Sequence, residues 1–345
     1  MDNSTLSTYP TTVFVSNVTN GTTTNPPRDI STIVQVCFSI ILCIVMFGVG
    51  CAGDFAKVIS HFKHPAGICT GIFNQFIIMP VLALAFVSVT QIPQDEAMAV
   101  LIQGTAPGGM MSNIITYWIH GDINLSISMT AVSTVIALGS MPLWLFIFTL
   151  ILQIEESLQI PFNSLGIALA IMVLPVIFGA LLRRYKPKEA EIITKVFTIF
   201  GTIAIIVTLI VSGIVSELSF YLSWRQWLIC FLTPILGMVL GYLVALLPFL
   251  RLTEPSRRTI AIETGMQNCQ ISQSVLVISY ASNIAIYEKI RLFPLLNSFF
   301  QILYGVIMAI IIRKCSVFSV KYVLPTSTIE ESKDLDEEQT CSKDN

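Results

Sequence analysis

Residues 263–270 read Glu-Thr-Gly-Met-Gln-Asn-Cys-Gln, a polar run inside a stretch, 256–283, that is otherwise apolar enough to cross a membrane. Residues 104–109 read Gly-Thr-Ala-Pro-Gly-Gly, followed by Ser112 and Asn113, inside a second such stretch, 97–119. Proline withholds a backbone donor and adjacent glycines weaken a helix further, so neither stretch is expected to be one continuous helix. Backbone freed at membrane depth survives only where protein or a water-filled cavity satisfies it. A packed kink would explain one interruption. Two of them, each followed by side-chain amides, point to a binding site.

Working outward, the chain divides into nine apolar segments, near 31–51, 66–90, 97–119, 123–152, 161–182, 192–216, 224–250, 256–283 and 290–313. The interrupted segments are the third and the eighth. An offset of five means that the chain crosses them in opposite directions. Pairing the first with the sixth, and so on to the fourth with the ninth, leaves the fifth alone. This is the pattern of an inverted repeat whose first copy lacks its opening helix, and interrupted segments at matching places in two halves mark a transporter site. The fold class expected is therefore an all-α polytopic membrane protein: nine transmembrane helices in an inverted repeat, two of them broken and crossing.

Composition agrees. Charged residues make up 12% and hydrophobic residues 54% of the 345, against about 25% and 45–50% in soluble domains. A net charge of −2 gives no footing for nucleic acid. With the N-terminus outside, only Arg28, Arg225, Lys289 and Arg291 of the 19 basic residues fall in outer loops, a positive-inside bias. Residues 1–30 are polar, with no basic n-region, and carry glycosylation sequons at Asn3, Asn17 and Asn20. The expected organisation is a glycosylated extracellular N-terminus (1–30), a transporter domain (31–313) and a cytoplasmic tail (314–345), largely disordered and acidic towards its end. The eight cysteines include no Cys-x-x-Cys pair, so buried thiols are favoured over a disulfide framework or a zinc site.

Glu263 is the one acidic residue well inside a span, roughly 10 Å deep at about 1.5 Å per residue. A carboxylate there is costly unless paired, protonated or bound to a cation. No Lys or Arg lies at that depth. Sodium, a hard cation, takes carboxylate, amide, hydroxyl and carbonyl oxygens, which this segment offers. A protonated Glu bonded to a neighbouring helix is the alternative. Gln267, four residues on, would share a helical face with Glu263. Ser126 and Thr130 share a face of the fourth segment, where hydroxyls most often bond their own i−4 carbonyls. Gln75 in the second segment is open to the same two readings.

At these residues the sequence resembles the bile acid:sodium symporter family. The matching stretches are Pro107-Gly108-Gly109 with Ser112-Asn113, and Gly121 to Ser126 with Ser128-Met129-Thr130. Further matches are Ala137-Leu138-Gly139 with Met141-Pro142, Glu263 to Asn268 with Gln270, Gln75 with Met79-Pro80, and Phe293-Pro294-Leu295. They run in order over about residues 30–315, and the Glu-Thr-Gly-Met-Gln-Asn run is most like the ileal, apical branch. The resemblance implies core and panel domains and co-transport of Na+ with a bile salt or steroid-sulfate-like anion. It implies one sodium site from Ser112, Asn113, Ser126, Thr130 and Glu263. A second would use Gln75, Glu263, Met266 through its carbonyl, and Gln267. It further implies substrate contacts from Asn268, and from Asn297 and Gln301. Thr105-Ala106 and Ile271-Ser272 depart from the family pattern close to that site, which bears on substrate choice.

The reading is thus a multi-pass plasma-membrane symporter working by alternating access, its partners the lipid bilayer and an organic anion. The plentiful apolar faces are compatible with a homodimer. A seven-helix receptor and a passive channel remain as other classes. An intramembrane enzyme has no support, since the chain has neither a His-Glu-x-x-His motif nor a Ser/His/Asp constellation.

Overall fold

The computed structural model describes residues 65–109, 111–155, 162–196, 222–280 and 283–323, with residue 158 and scattered positions from 40 to 51. The expected first and sixth spans, the sequons at Asn3, Asn17 and Asn20, and the acidic end of the tail lie wholly or largely outside these residues. What is described is helical. In chain order the helices are α1 (Ala66–Thr90), α2 (Gln94–Thr105), α3 (Met111–Trp118), α4 (Ile123–Leu152) and α5 (Phe162–Tyr185). They continue as α6 (Trp224–Ala245), α7 (Glu254–Gly265), α8 (Cys269–Tyr280), α9 (Ile284–Ile290) and α10 (Phe293–Val323). Four of them, α1, α4, α6 and α10, are long and apolar enough to cross a membrane. The last continues to Val323, past the expected start of the tail.

Local chemistry explains where these helices begin and bend. Asp122 caps α4 by accepting from the Leu125 N–H at 3.0 Å. Ser223 and Gln226 form a reciprocal capping box at the start of α6. In α1, Pro80 has no N–H to offer the carbonyl four residues back, and the indole N–H of Trp144 on α4 donates to that Phe76 carbonyl at 2.7 Å. Just ahead of this point the helix widens into a π turn, Asn74–Ile78. Such turns recur at functional sites because they re-aim a side chain out of helical register, and here the turn holds Gln75.

Apolar side chains cover the outside of the helices, as at Val89 (82% exposed) and Phe178, while serines, threonines and amides are buried in the interior among the apolar core residues. Apolar surface on this scale is what a bilayer covers. Small residues let the inner helices approach closely. A Cβ on Gly237 of α6 would stand 3.0 Å from the Gly265 Cα of α7, and one on Gly104 would stand 2.3 Å from the Ala83 Cβ.

At one end of the bundle the first turn of α2 is tied to its neighbours by charge. Lys289 of α9 meets Asp95 at 2.7 Å, and Ser223 donates to Glu96 at 2.5 Å. The hydrogen bond to Asp95 holds the Lys289 amine above its ordinary range. A raised amine pKa contributes stability that is present at neutral pH, below the ordinary lysine value of about 10.4, and is lost as pH rises beyond it. The lysine is 56% exposed, so solvent screens the pair. Lys289→Ala is expected to cost less than about 1 kcal/mol, read as a small shift in the thermal midpoint of the solubilised protein.

Candidate functional site

Both interrupted segments are broken in the structure. Segment 97–119 is divided into α2 and α3, and segment 256–283 into α7 and α8. The two linkers lie against each other as a short antiparallel pair centred on Gly108 and Gln267. The Gly109 N–H donates to the Met266 carbonyl at 2.9 Å and the Asn268 N–H to the Pro107 carbonyl at 2.7 Å. Each break thereby satisfies the backbone that the other sets free, which is how irregular chain persists away from water. Side-chain amides complete the end of α2. Gln75 Nε2 donates to the Ala106 carbonyl at 2.6 Å, and Gln267 Nε2 to the Gly104 carbonyl at 3.2 Å. Held by their nitrogens, both amides keep a buried Oε1 with no hydrogen-bond partner.

Helix α7 stops at Gly265, so the expectation that Glu263 and Gln267 share a helical face is corrected. Gln267 stands in the extended linker, and its side chain runs to the end of α2 instead. The i, i+4 rule fails because the helix has already ended.

Glu263, 2% exposed, lies two residues before that end. Its Oε2 accepts from Ser112 Oγ at 2.5 Å and Ser126 Oγ at 3.1 Å, and its Oε1 from Thr130 Oγ1 at 2.6 Å. Each hydroxyl also faces a second acceptor. Ser112 Oγ is 2.6 Å from the Gly109 carbonyl, Ser126 Oγ is 2.8 Å from Asn113 Oδ1, and Thr130 Oγ1 is 3.0 Å from the Ser126 carbonyl. A hydroxyl has one proton, so each of these three can serve only one of its two acceptors at a time. The cradle is richer in oxygen lone pairs than in protons, and a small cation complements that arrangement. The α2 and α7 C-termini, the negative ends of their dipoles, also meet here.

Of the other expected residues, Asn113 is half-buried and reaches the carboxylate through Ser126. The Met266 carbonyl has one lone pair engaged by Gly109, leaving the second. Asn268 is buried, and its Oδ1 accepts from the Ile271 N–H at 3.1 Å, capping the start of α8. Asn297 and Gln301 form their own pair on α10, with Gln301 Nε2 donating to Asn297 Oδ1 at 2.6 Å.

Sequence reasoning missed two contributors. The Ser133 hydroxyl accepts from the Gly108 N–H at 3.3 Å, and the Thr116 hydroxyl donates to Ser126 Oγ at 3.4 Å. Ser133 was findable, because Ser126, Thr130 and Ser133 follow an i, i+4, i+7 stripe. Thr116 was findable in the same way, four residues after Ser112 on α3.

Comparison with known proteins places the sequence in a family. The chain is 37% identical over 295 residues to the ileal sodium/bile acid cotransporter of Mus musculus, covering 83% of this chain and 82% of that protein. It is 37% identical over 284 residues to the ileal sodium/bile acid cotransporter of Homo sapiens, covering 81% and 79%. It is 34% identical over 277 residues to the sodium-dependent organic anion transporter of Homo sapiens, covering 80% and 72%. The model of the Sodium Bile acid symporter family matches residues 39–222, which include the first broken helix, and the relatives extend the likeness over most of the chain. A multi-pass helical membrane protein with a buried oxygen cradle between two broken helices, this chain belongs to the sodium bile acid symporter family.

Proposed function

We propose that the protein couples the entry of Na+ to that of a bile salt or related amphipathic, steroid-like organic anion. The observation that carries this is the buried Glu263 carboxylate among hydroxyls too few in protons to satisfy their acceptors. One sodium ion would lie among Ser112, Asn113, Ser126, Thr130 and Glu263. A second would use Glu263, the Met266 carbonyl and the free Oε1 atoms of Gln75 and Gln267. Asn268, Asn297 and Gln301 would face the anion.

In this reading nine helices form core and panel domains in an inverted repeat, and the panel rocks against the core around the crossing. The protein sits in the plasma membrane with its glycosylated N-terminus outside and its tail in the cytosol. Two sodium ions moving with one monoanion carry one net positive charge. A tenfold sodium gradient supplies about 1.4 kcal/mol per ion. At a potential of about 50 mV the net charge adds roughly 1.2 kcal/mol. The total, about 4 kcal/mol, supports roughly thousandfold accumulation. A receptor would not concentrate the anion and a channel would not saturate.

Radiolabelled taurocholate and estrone sulfate uptake in transfected cells, in sodium and in choline medium, tests the proposal. Saturable, concentrative uptake that needs sodium is expected, and uptake equal in the two media would overturn it. A preference for organic anions other than bile salts, with sulfated steroids as the probe, is the second reading, favoured by the likeness to sodium-dependent organic anion transporters. Gln267→Leu removes one neutral ligand oxygen, a loss of about 1 kcal/mol. The sodium concentration for half-maximal uptake should rise about five- to tenfold, and an unchanged sodium titration would count against the second site.

A further inference from the structure

Beside the Glu263 cradle the structure buries a second polar cluster, and its five members carry no formal charge. Gln103, next to the end of α2, donates from Nε2 to the Cys269 Sγ at 3.3 Å, where α8 begins. The same thiol meets the side chains of Ser298 and Gln301 on α10. Gln301 in turn occupies Asn297 Oδ1. Two atoms of opposite sense are left without a partner: the acceptor Gln103 Oε1 and the donor Asn297 Nδ2. Gln103 is 1% and Asn297 0% exposed, whereas Cys269 and Ser298, beside them in the cluster, are partly exposed.

The chemistry of these two atoms defines what fits. A buried polar group without a partner bears its full desolvation cost. Nothing cationic stands among the five side chains to offset an ionised head group, so the fitting group is neutral. A group that reaches both atoms donates to Gln103 and accepts from Asn297. A hydroxyl does both, while a carboxylate or sulfonate only accepts.

We propose that Gln103 and Asn297, joined through Cys269 and Gln301, take a ring hydroxyl of the transported anion, which makes Gln103 a specificity-determining residue for substrates that carry that hydroxyl over those that lack it. This deepens the transport reading above and rests on it.

The test measures sodium-dependent uptake of taurocholate against taurodeoxycholate and taurochenodeoxycholate, each lacking one of its ring hydroxyls. Pregnenolone sulfate and 17-hydroxypregnenolone sulfate serve as the sulfated pair. Wild-type protein is expected to show a KM about five- to tenfold lower for the hydroxylated member of at least one pair. Gln103→Met and Asn297→Leu should each collapse that ratio towards one, with surface amount measured by biotinylation. Sodium-driven uptake with equal KM across every pair in the wild type would overturn the subsite alone, as would a ratio unchanged in either variant. No sodium-driven uptake of any of these anions would overturn the transport reading and the subsite with it. The wild-type comparison decides even where a variant fails to reach the surface.

Discussion

Glu263→Gln is expected to lower sodium-dependent anion uptake by two to three orders of magnitude while the protein still reaches the cell surface. The substitution keeps the shape of the side chain and one of its acceptor oxygens, and it removes the charge. Breaking a buried charge pair costs at least about 3–4 kcal/mol, which is roughly a hundred- to thousandfold in a binding constant. Folding should suffer far less. A neutral amide at this depth is easier to bury than an ion, and its Oε1 can still accept from Ser112, Ser126 or Thr130. Uptake in sodium and choline media, normalised to biotinylated surface protein, measures the effect. Full uptake with an unaltered sodium requirement would remove the carboxylate from the coupling mechanism.

Gly108→Ala should act on the same carboxylate by steric means. A Cβ at Gly108 would lie 2.3 Å from Glu263 Oε1 and 3.0 Å from its Cδ. The contact cannot relax easily. The backbone there is paired with Gln267 and bonded to Ser133, and the carboxylate is held by three hydroxyls. Overpacking of this kind costs about 1–3 kcal/mol, and the cheapest response is for Oε1 to leave Thr130. The sodium concentration for half-maximal uptake should rise at least about fivefold, with partial recovery at high sodium. Gly139→Ala on α4 is the control, since a Cβ there meets nothing within 4 Å and should leave the sodium titration unaltered. Equal titrations for the two variants would show that Gly108 does not set the position of the carboxylate.

The glycines of the first break illustrate what could be read in advance. Their presence, with Pro107, marks where the helix stops, because a missing donor and an unrestrained backbone are properties of the residues themselves. Yet no glycine among the described residues adopts positive φ. Gly108 is required by the closeness of Glu263, a residue far away in the chain. The apolar periods of α1 and α4 agree with the expected segments to the residue, since burial in lipid is written in hydropathy alone. The expectation that Gln267 shares a face with Glu263 extends a helical register past the point where the helix ends, and the side chain pairs with the end of α2 instead.

By itself, the sequence determined that the chain is a helical membrane protein, where two of its helices break, and that one carboxylate lies at a depth where it must be neutralised or paired. These follow from local composition, backbone chemistry and the cost of burying charge. Only the tertiary structure decided which groups meet that carboxylate, that the two breaks satisfy each other's backbone, and that Gln75 and Gln267 spend their nitrogens on α2 and keep their oxygens free. Hydrogen bonds between residues 31 to 163 positions apart depend on helix packing, and helix packing leaves no local trace in the chain.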